Sequence, residues 1–151
     1  MRAQTATFRP AGLRRALVTG ASTGLGAVFA TALAGQQYDL IIVARNRERL
    51  NALAERLRHS YGIAVEVVVA DLTQAVALRT VEERVAEDQA LELLVNNAGF
   101  GTIGPFASLD PDREEEEIRL NIMALMRLTR AALPGMIARD RGRSCRAVRH
   151  A

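Results

Sequence analysis

The 151-residue sequence predicts an α/β fold: a doubly wound parallel sheet, incomplete at about four strands, with flanking helices. Two observations predict it. Short apolar runs alternate four times with segments whose apolar residues recur at helical spacing, and the runs are too uniformly apolar for strands wet on one face. Between the first run and its helix lies a cluster of glycines, where a parallel strand turns into a helix.

In order, Arg15–Thr19 (RALVT) reads as the first strand, and Gly24–Gly35 as its helix through Leu25, Val28, Phe29 and Leu33. Residues 38–44 (YDLIIVA) form a second strand covered on both faces, and residues 47–60 return to helical spacing through Leu50, Leu53 and Leu57. Residues 63–70 (IAVEVVVA) make a third strand, residues 74–88 a third helix, and residues 91–95 (LELLV) a fourth strand. After the loop NNAGFGTIGPF, Asp110-Pro111 opens one long helix through Leu133, since Asp before Pro is a helix-start signal. The acids of its first turns, Asp112 and Glu114 to Glu117, read as a solvated face at the positive end of the helix dipole rather than a metal cluster, with no His or Cys beside them.

Composition bounds the rest. With 49% apolar and 25% charged residues the chain suits one soluble domain, at residues 15–138, between an extension at 1–14 and an Arg-rich tail at 139–151. The single Cys145 has no partner for an internal disulfide, so a reducing cytoplasm is expected. All 20 basic residues are arginine, which removes any mechanism that needs a lysine of this chain. The net charge of +3 belongs to the two ends, while the middle is acidic, and no aromatics interleave with the tail arginines; no nucleic-acid partner is expected. No segment nears the roughly 20 apolar residues of a membrane span, so no membrane partner is expected either. The Arg-bearing, acid-poor start leaves a mitochondrial presequence as the alternative address.

The loop Thr19-Gly20-Ala21-Ser22-Thr23-Gly24-Leu25-Gly26 suits a dinucleotide's pyrophosphate. Gly20 permits the sharp turn, Gly24 lets backbone approach the phosphates, and Gly26 allows close packing of helix on strand. Ser22 and Thr23 add hydroxyl donors, and the helix N-terminus offers unpaired N–H groups to an anion. The fold is therefore expected to be Rossmann-like. The second strand ends in Ala44-Arg45 where an NAD site would place a carboxylate, so a 2′-phosphate paired with Arg45 favours NADP over NAD.

The TGASTGLG loop, Asp71-Leu72 after the third strand, Asn96-Asn97-Ala98-Gly99 after the fourth and LNIMALMRLTRAALPGM at residues 120–136 together resemble the short-chain dehydrogenase/reductase family, in the right order along the chain. The resemblance implies that Asp71 and Leu72 contact the adenine. It implies that Asn97, Ala98 and Gly99 lie along the cofactor near its nicotinamide half, and that Asn121, in a catalytic role, orders a proton-relay water. It implies hydride exchange between the nicotinamide and a small-molecule carbonyl/alcohol pair, with a tyrosine made acidic by a lysine exchanging the proton and a serine steadying the substrate oxygen. Family members commonly assemble as dimers or tetramers through the long helix and the next one, which leaves a homo-oligomer open.

That serine, tyrosine and lysine have no counterpart here. The tyrosines are Tyr38 and Tyr61, both ahead of Asn121, and Ser144 sits in RGRSCRAVRHA, whose apolar content cannot make a buried strand. The pattern departs from the family at Ser144, which is expected of a truncation or a reading-frame change. The fourth strand is then expected to be an unpaired sheet edge, and the long helix to lack partners on an apolar side. Three readings follow: an NADP-preferring short-chain oxidoreductase represented by its cofactor-binding portion, a non-catalytic nucleotide-binding or assembly module, or the nonfunctional product of an interrupted gene. Met123, Met126 and Met136 read as core or interface filler, and Cys145 as no nucleophile.

Overall fold

The computed structural model describes residues 14–146. The extension ahead of Arg14 and the tail beyond Arg146 lie outside them. Five parallel strands, β1 (Arg15–Thr19), β2 (Asp39–Ala44), β3 (Val65–Val69), β4 (Leu91–Asn96) and β5 (Arg143–Arg146), form one sheet in the order β3-β2-β1-β4-β5. The helices are α1 (Gly24–Gly35), α2 (Arg47–Tyr61), α3 (Ala75–Ala86), α4 (Pro111–Ile118) and α5 (Leu125–Ala138). The order reverses at β1, whose neighbours β2 and β4 are followed by connections on opposite faces, so the crevice at the strands' carboxyl ends opens beside β1.

Alternation along the strands sorts the core into two layers. Ala16 and Val18 of β1, with Leu40 and Ile42 of β2, pack against Ala30, Leu33 and Ala34 of α1 and Leu50, Leu53 and Leu57 of α2. Leu17, Ile41 and Val43 face the other way, onto Leu78, Val81 and Val85 of α3 and Ala124, Leu128, Ala132 and Met136 at α5. Consecutive residues of β1 and β2 are thus buried on opposite faces, which is why those strands read as unbroken apolar runs. Truncating a residue such as Leu17 or Leu128, both at most 1% exposed, removes about 2–5 kcal/mol of stability.

Three expectations need correction. A fifth strand exists: Arg143–Arg146 pairs in parallel with β4, Leu93 opposite Arg143 and Asn96 opposite Arg146, so β4 is an inner strand rather than an edge. Backbone pairing requires no apolar side chains, and all four β5 residues are exposed, so the polar segment Arg-Ser-Cys-Arg serves as an edge strand. β3 is the opposite edge, with Glu66 and Val69 exposed, and is not covered on both faces. The long helix is not uniform. Between α4 and α5 the wider π turn Arg119–Ala124 intervenes around Asn121, and α5 runs past Pro134 to Ala138.

Polar ties fix the lower rim of the sheet. Asp88, its side chain 1% exposed, bonds Arg15 at 2.7 Å, Arg84 at 2.8 Å and the Ala90 N–H at 2.9 Å. Burial works to raise this carboxyl, but the Arg15 guanidinium, the Ala90 N–H and the Arg84 guanidinium outweigh it and hold it below the usual carboxylate range. Arg127 of α5 grips Glu82 of α3 through both carboxylate oxygens. The outer side of α5 leaves Met126, Leu133 and Ile137 exposed, and Met136 alone of the three α5-region methionines, with Met123 and Met126, is core. No helix among the described residues is long and apolar enough to cross a membrane.

Candidate functional site

The glycine turn is built by exclusion of side chains. Gly20 has φ +65°, a left-handed value that disfavours any Cβ, and a Cβ there would stand 2.9 Å from both Ala98 Cα and Asn97 Nδ2. At Gly26 a Cβ would fall 2.6 Å from Asn97 Nδ2 and 2.7 Å from the Gly20 carbonyl carbon, closer still to its oxygen. The first turn of α1 therefore sits directly on the end of β1, as a dinucleotide loop requires.

The turn is also latched to β4. Thr19 Oγ1 accepts from the N–H groups of Asn97 (3.0 Å) and Ala98 (2.9 Å) and reaches the Val95 carbonyl at 3.4 Å. Asn97 Nδ2 donates to the Thr19 carbonyl at 2.9 Å and the Gly20 carbonyl at 3.2 Å. Thr19 and Asn97 are 2% exposed, so this lattice is shielded from water. One buried side-chain oxygen among the described residues, Asn97 Oδ1, has no partner.

The helix that follows the glycine turn has an open N-terminus, as α3 does, whereas α2 and α4 are capped by side chains. Asn46 caps α2 by accepting from Arg49 N at 2.9 Å, and Asp110 caps α4 by accepting from Asp112 N at 3.1 Å. The Thr23 side chain makes no cap bond to α1, and no acid lies in α1's first turn. An anion at α1 thus meets N–H groups that no side chain of the helix occupies.

A crevice of about 410 Å3 opens from this turn. Of the residues singled out in the sequence, Gly20, Ser22 and Thr23 after β1, Arg45 after β2, Asp71 and Leu72 after β3, and Ala98 and Gly99 after β4 line it. Gly24, Leu25, Gly26, Asn97 and Asn121 do not line it. Gly26 and Asn97 shape it from beneath, as above, and Leu25 is 44% exposed on α1. Asn121 holds the loop: its Oδ1 accepts from Phe100 N at 3.2 Å and its Nδ2 donates to the Phe100 carbonyl at 2.7 Å. Such a π turn re-aims one side chain out of helical register, here onto that loop.

Sequence reasoning missed Asn46, Arg49, Thr73, Phe100, Arg113 and Leu120, which also line the crevice. Arg49 lies in the first turn of α2, just beyond Arg45 and the Asn46 cap, a nearness in sequence that could have flagged it. Arg113 sat inside the acid run and carried no such signal. Arg45 approaches Asp71 only at 3.9 Å with its side chain 73% exposed, a weak pair, while Thr73 N and Oγ1 donate to Asp71 Oδ1 at 3.0 and 2.8 Å. With Arg45 and Arg49 beside one aspartate, and Arg113 paired with Glu116, the crevice favours an anion at its Arg45–Arg49 end.

The acids of α4 are more than a wet face. Glu117 accepts from Thr102 N and Oγ1, both at 2.9 Å, and Glu114 also bonds the Thr102 hydroxyl, pinning the loop after β4 to the helix. Tyr38, 8% exposed, lies in the core beside α1 and α2, and Tyr61 ends α2; neither lines the crevice.

The model of the family described as short chain dehydrogenase matches residues 14–144. A very-long-chain 3-oxoacyl-CoA reductase of Pyrenophora tritici-repentis is 35% identical over 90% of this chain and 41% of its own length. An inactive hydroxysteroid dehydrogenase-like protein 1 of Homo sapiens is 30% identical over 85% of this chain and 40% of its own. Among solved structures, a short-chain dehydrogenase from Sphingobium yanoikuyae in complex with NADPH superposes with a TM-score of 0.87 at 42% identity, over 89% of this chain and 52% of that one. An L-sorbose reductase from Gluconobacter frateurii complexed with NADPH and L-sorbose gives 0.82 at 30% identity, over 89% and 52%. The chain spans about two fifths to one half of these relatives.

Proposed function

Because this chain belongs to the short-chain dehydrogenase family, we propose that its crevice binds NADP(H) in preference to NAD(H), as the cofactor-binding portion of an oxidoreductase acting on a carbonyl/alcohol pair. The observation that carries the reading is the pair of positions at Gly20 and Gly26 where no Cβ fits, under an uncapped α1 and opening toward Arg45 and Arg49. These residues suit the group. Gly20, Ser22 and Thr23 would hold the pyrophosphate, Arg45 and Arg49 the 2′-phosphate, and Asp71 and Leu72 the adenosine end, while Ala98 and Gly99 would border the nicotinamide half. When bound, the cofactor supplies a hydride donor or acceptor.

The chain's own part is to bind and orient. Thr19 and Asn97 fix the β1 turn against β4, and Asn121, through Phe100, fixes the loop beyond it. In this reading Asn121 would also order a proton-relay water. No lysine exists in the chain and neither tyrosine lines the crevice, which supports a second reading: nucleotide binding without turnover. A reducing cytoplasm belongs to the proposal too, resting on Cys145 alone, and the substrate is proposed only as a small-molecule carbonyl or alcohol.

Titrating the chain with NADPH and NADH, each against Arg45→Ala, tests the reading. Removing one charge-assisted phosphate contact should weaken NADPH by about tenfold or more and leave NADH nearly unchanged. Equal loss for both cofactors would defeat the NADP preference, and carbonyl-dependent NADPH oxidation by the chain alone would defeat the second reading.

A further inference from the structure

We propose that Arg113 is a base-stacking residue of the cofactor site, its guanidinium plane forming the wall on which a purine ring lies; the inference rests on the dinucleotide reading above. Arg113 stands in the first turn of α4, set by the Asp110 cap. Its guanidinium carbon lies 4.0 Å from the centre of the Phe100 ring, and its Nη1 donates to Glu116 at 2.6 Å. Phe100 is in turn fixed by the two main-chain bonds to Asn121. The plane is thus supported on one face and anchored at one edge, and Arg113 lines the same crevice as Leu72 and Leu120.

The chemistry of the lining divides the crevice. Phosphate-type partners, namely the glycine turn with Ser22 and Thr23 and the cations of Arg45 and Arg49, gather around β1 and the start of α2. Arg113 itself lies against the flat Phe100 ring, and the crevice's other large apolar side chains, Leu72 and Leu120, likewise suit an aromatic base rather than a phosphate. Glu116 already balances the charge of Arg113, so what the guanidinium offers there is a planar surface.

Binding of 5′-AMP and of 2′,5′-ADP to the full chain tests this, with Arg113→Ala, Arg113→Lys and Phe100→Leu, unfolding midpoints being measured alongside. Arg113→Ala should weaken both nucleotides by the same factor, about fivefold, the scale of a lost cation–π contact. Arg113→Lys should fail to restore the affinity, because an ammonium lacks the plane, and Phe100→Leu should reproduce part of the loss by removing the support. Unchanged affinity in Arg113→Ala, full rescue by Arg113→Lys, or a loss confined to 2′,5′-ADP would overturn the stacking role. A wild-type chain that takes up neither nucleotide would instead remove the dinucleotide reading, and the stacking role with it.

Discussion

Gly26→Ala isolates the physical core of the account, because two effects of opposite sign compete at one atom. In a helix, alanine is favoured over glycine by about 1 kcal/mol, so the change would stabilise α1 if space allowed. Space does not allow it: the new Cβ would lie 2.6 Å from Asn97 Nδ2 and 2.7 Å from the Gly20 carbonyl carbon, where real Cβ contacts are beyond 3.0 Å. Both obstacles are fixed, one being backbone and the other an amide held by two carbonyls, so α1 must move off β1. Overpacking against two fixed neighbours costs about 2–3 kcal/mol, the upper part of the usual range, and it outweighs the propensity gain. Gly35 provides the control at the other end of the same helix, since a Cβ there meets only Tyr61 Cε1 at 3.7 Å. Urea denaturation followed by far-ultraviolet circular dichroism should show Gly26→Ala destabilised by about 1–2 kcal/mol net, and Gly35→Ala unchanged or up to ~1 kcal/mol more stable. Equal or higher stability in Gly26→Ala would refute the tight turn and the site built on it.

Further expectations concern the latch and the rim. Thr19→Val keeps the shape but leaves the N–H groups of Asn97 and Ala98 without their acceptor, and should cost about 2–4 kcal/mol by the same denaturation assay; a loss under ~0.5 kcal/mol would show that the latch is not structural. Asp88→Asn points an amide at Arg15 and Arg84, and should cost about 2–3 kcal/mol. Because the folded Asp88 carboxyl sits below its unfolded value, its contribution is complete above about pH 4 and fades as pH falls through the folded value. Stability measured from pH 7 downward should therefore drop below about pH 4 in the wild type and drop less in Asp88→Asn, and parallel curves would falsify the assignment.

The sequence announced β1, β2 and the glycine turn because burial on both faces and a tight turn both constrain residue type. β5 was illegible for the opposite reason: an edge strand paired by backbone alone tolerates Arg143 and Arg146, so no apolar period marks it. The π turn at Asn121 was equally hidden, since one wide turn barely disturbs helical spacing over a long helix. In the site, Gly20, Arg45, Asp71 and Leu72 were found where the chain order put them at strand ends. Asn97 turned out to be a buried tie beneath the crevice, and Arg113 a lining residue within an acid run, because both roles depend on neighbours distant in sequence.

Isothermal titration of the purified chain with NADPH and NADH, at two salt concentrations, addresses the claim on which everything turns. A saturable one-to-one complex that prefers NADPH, and whose preference shrinks as salt screens Arg45 and Arg49, is the expected result. No heat with either nucleotide, from a chain shown to be folded, would mean that the glycine turn of β1 is a packing device and not a phosphate seat.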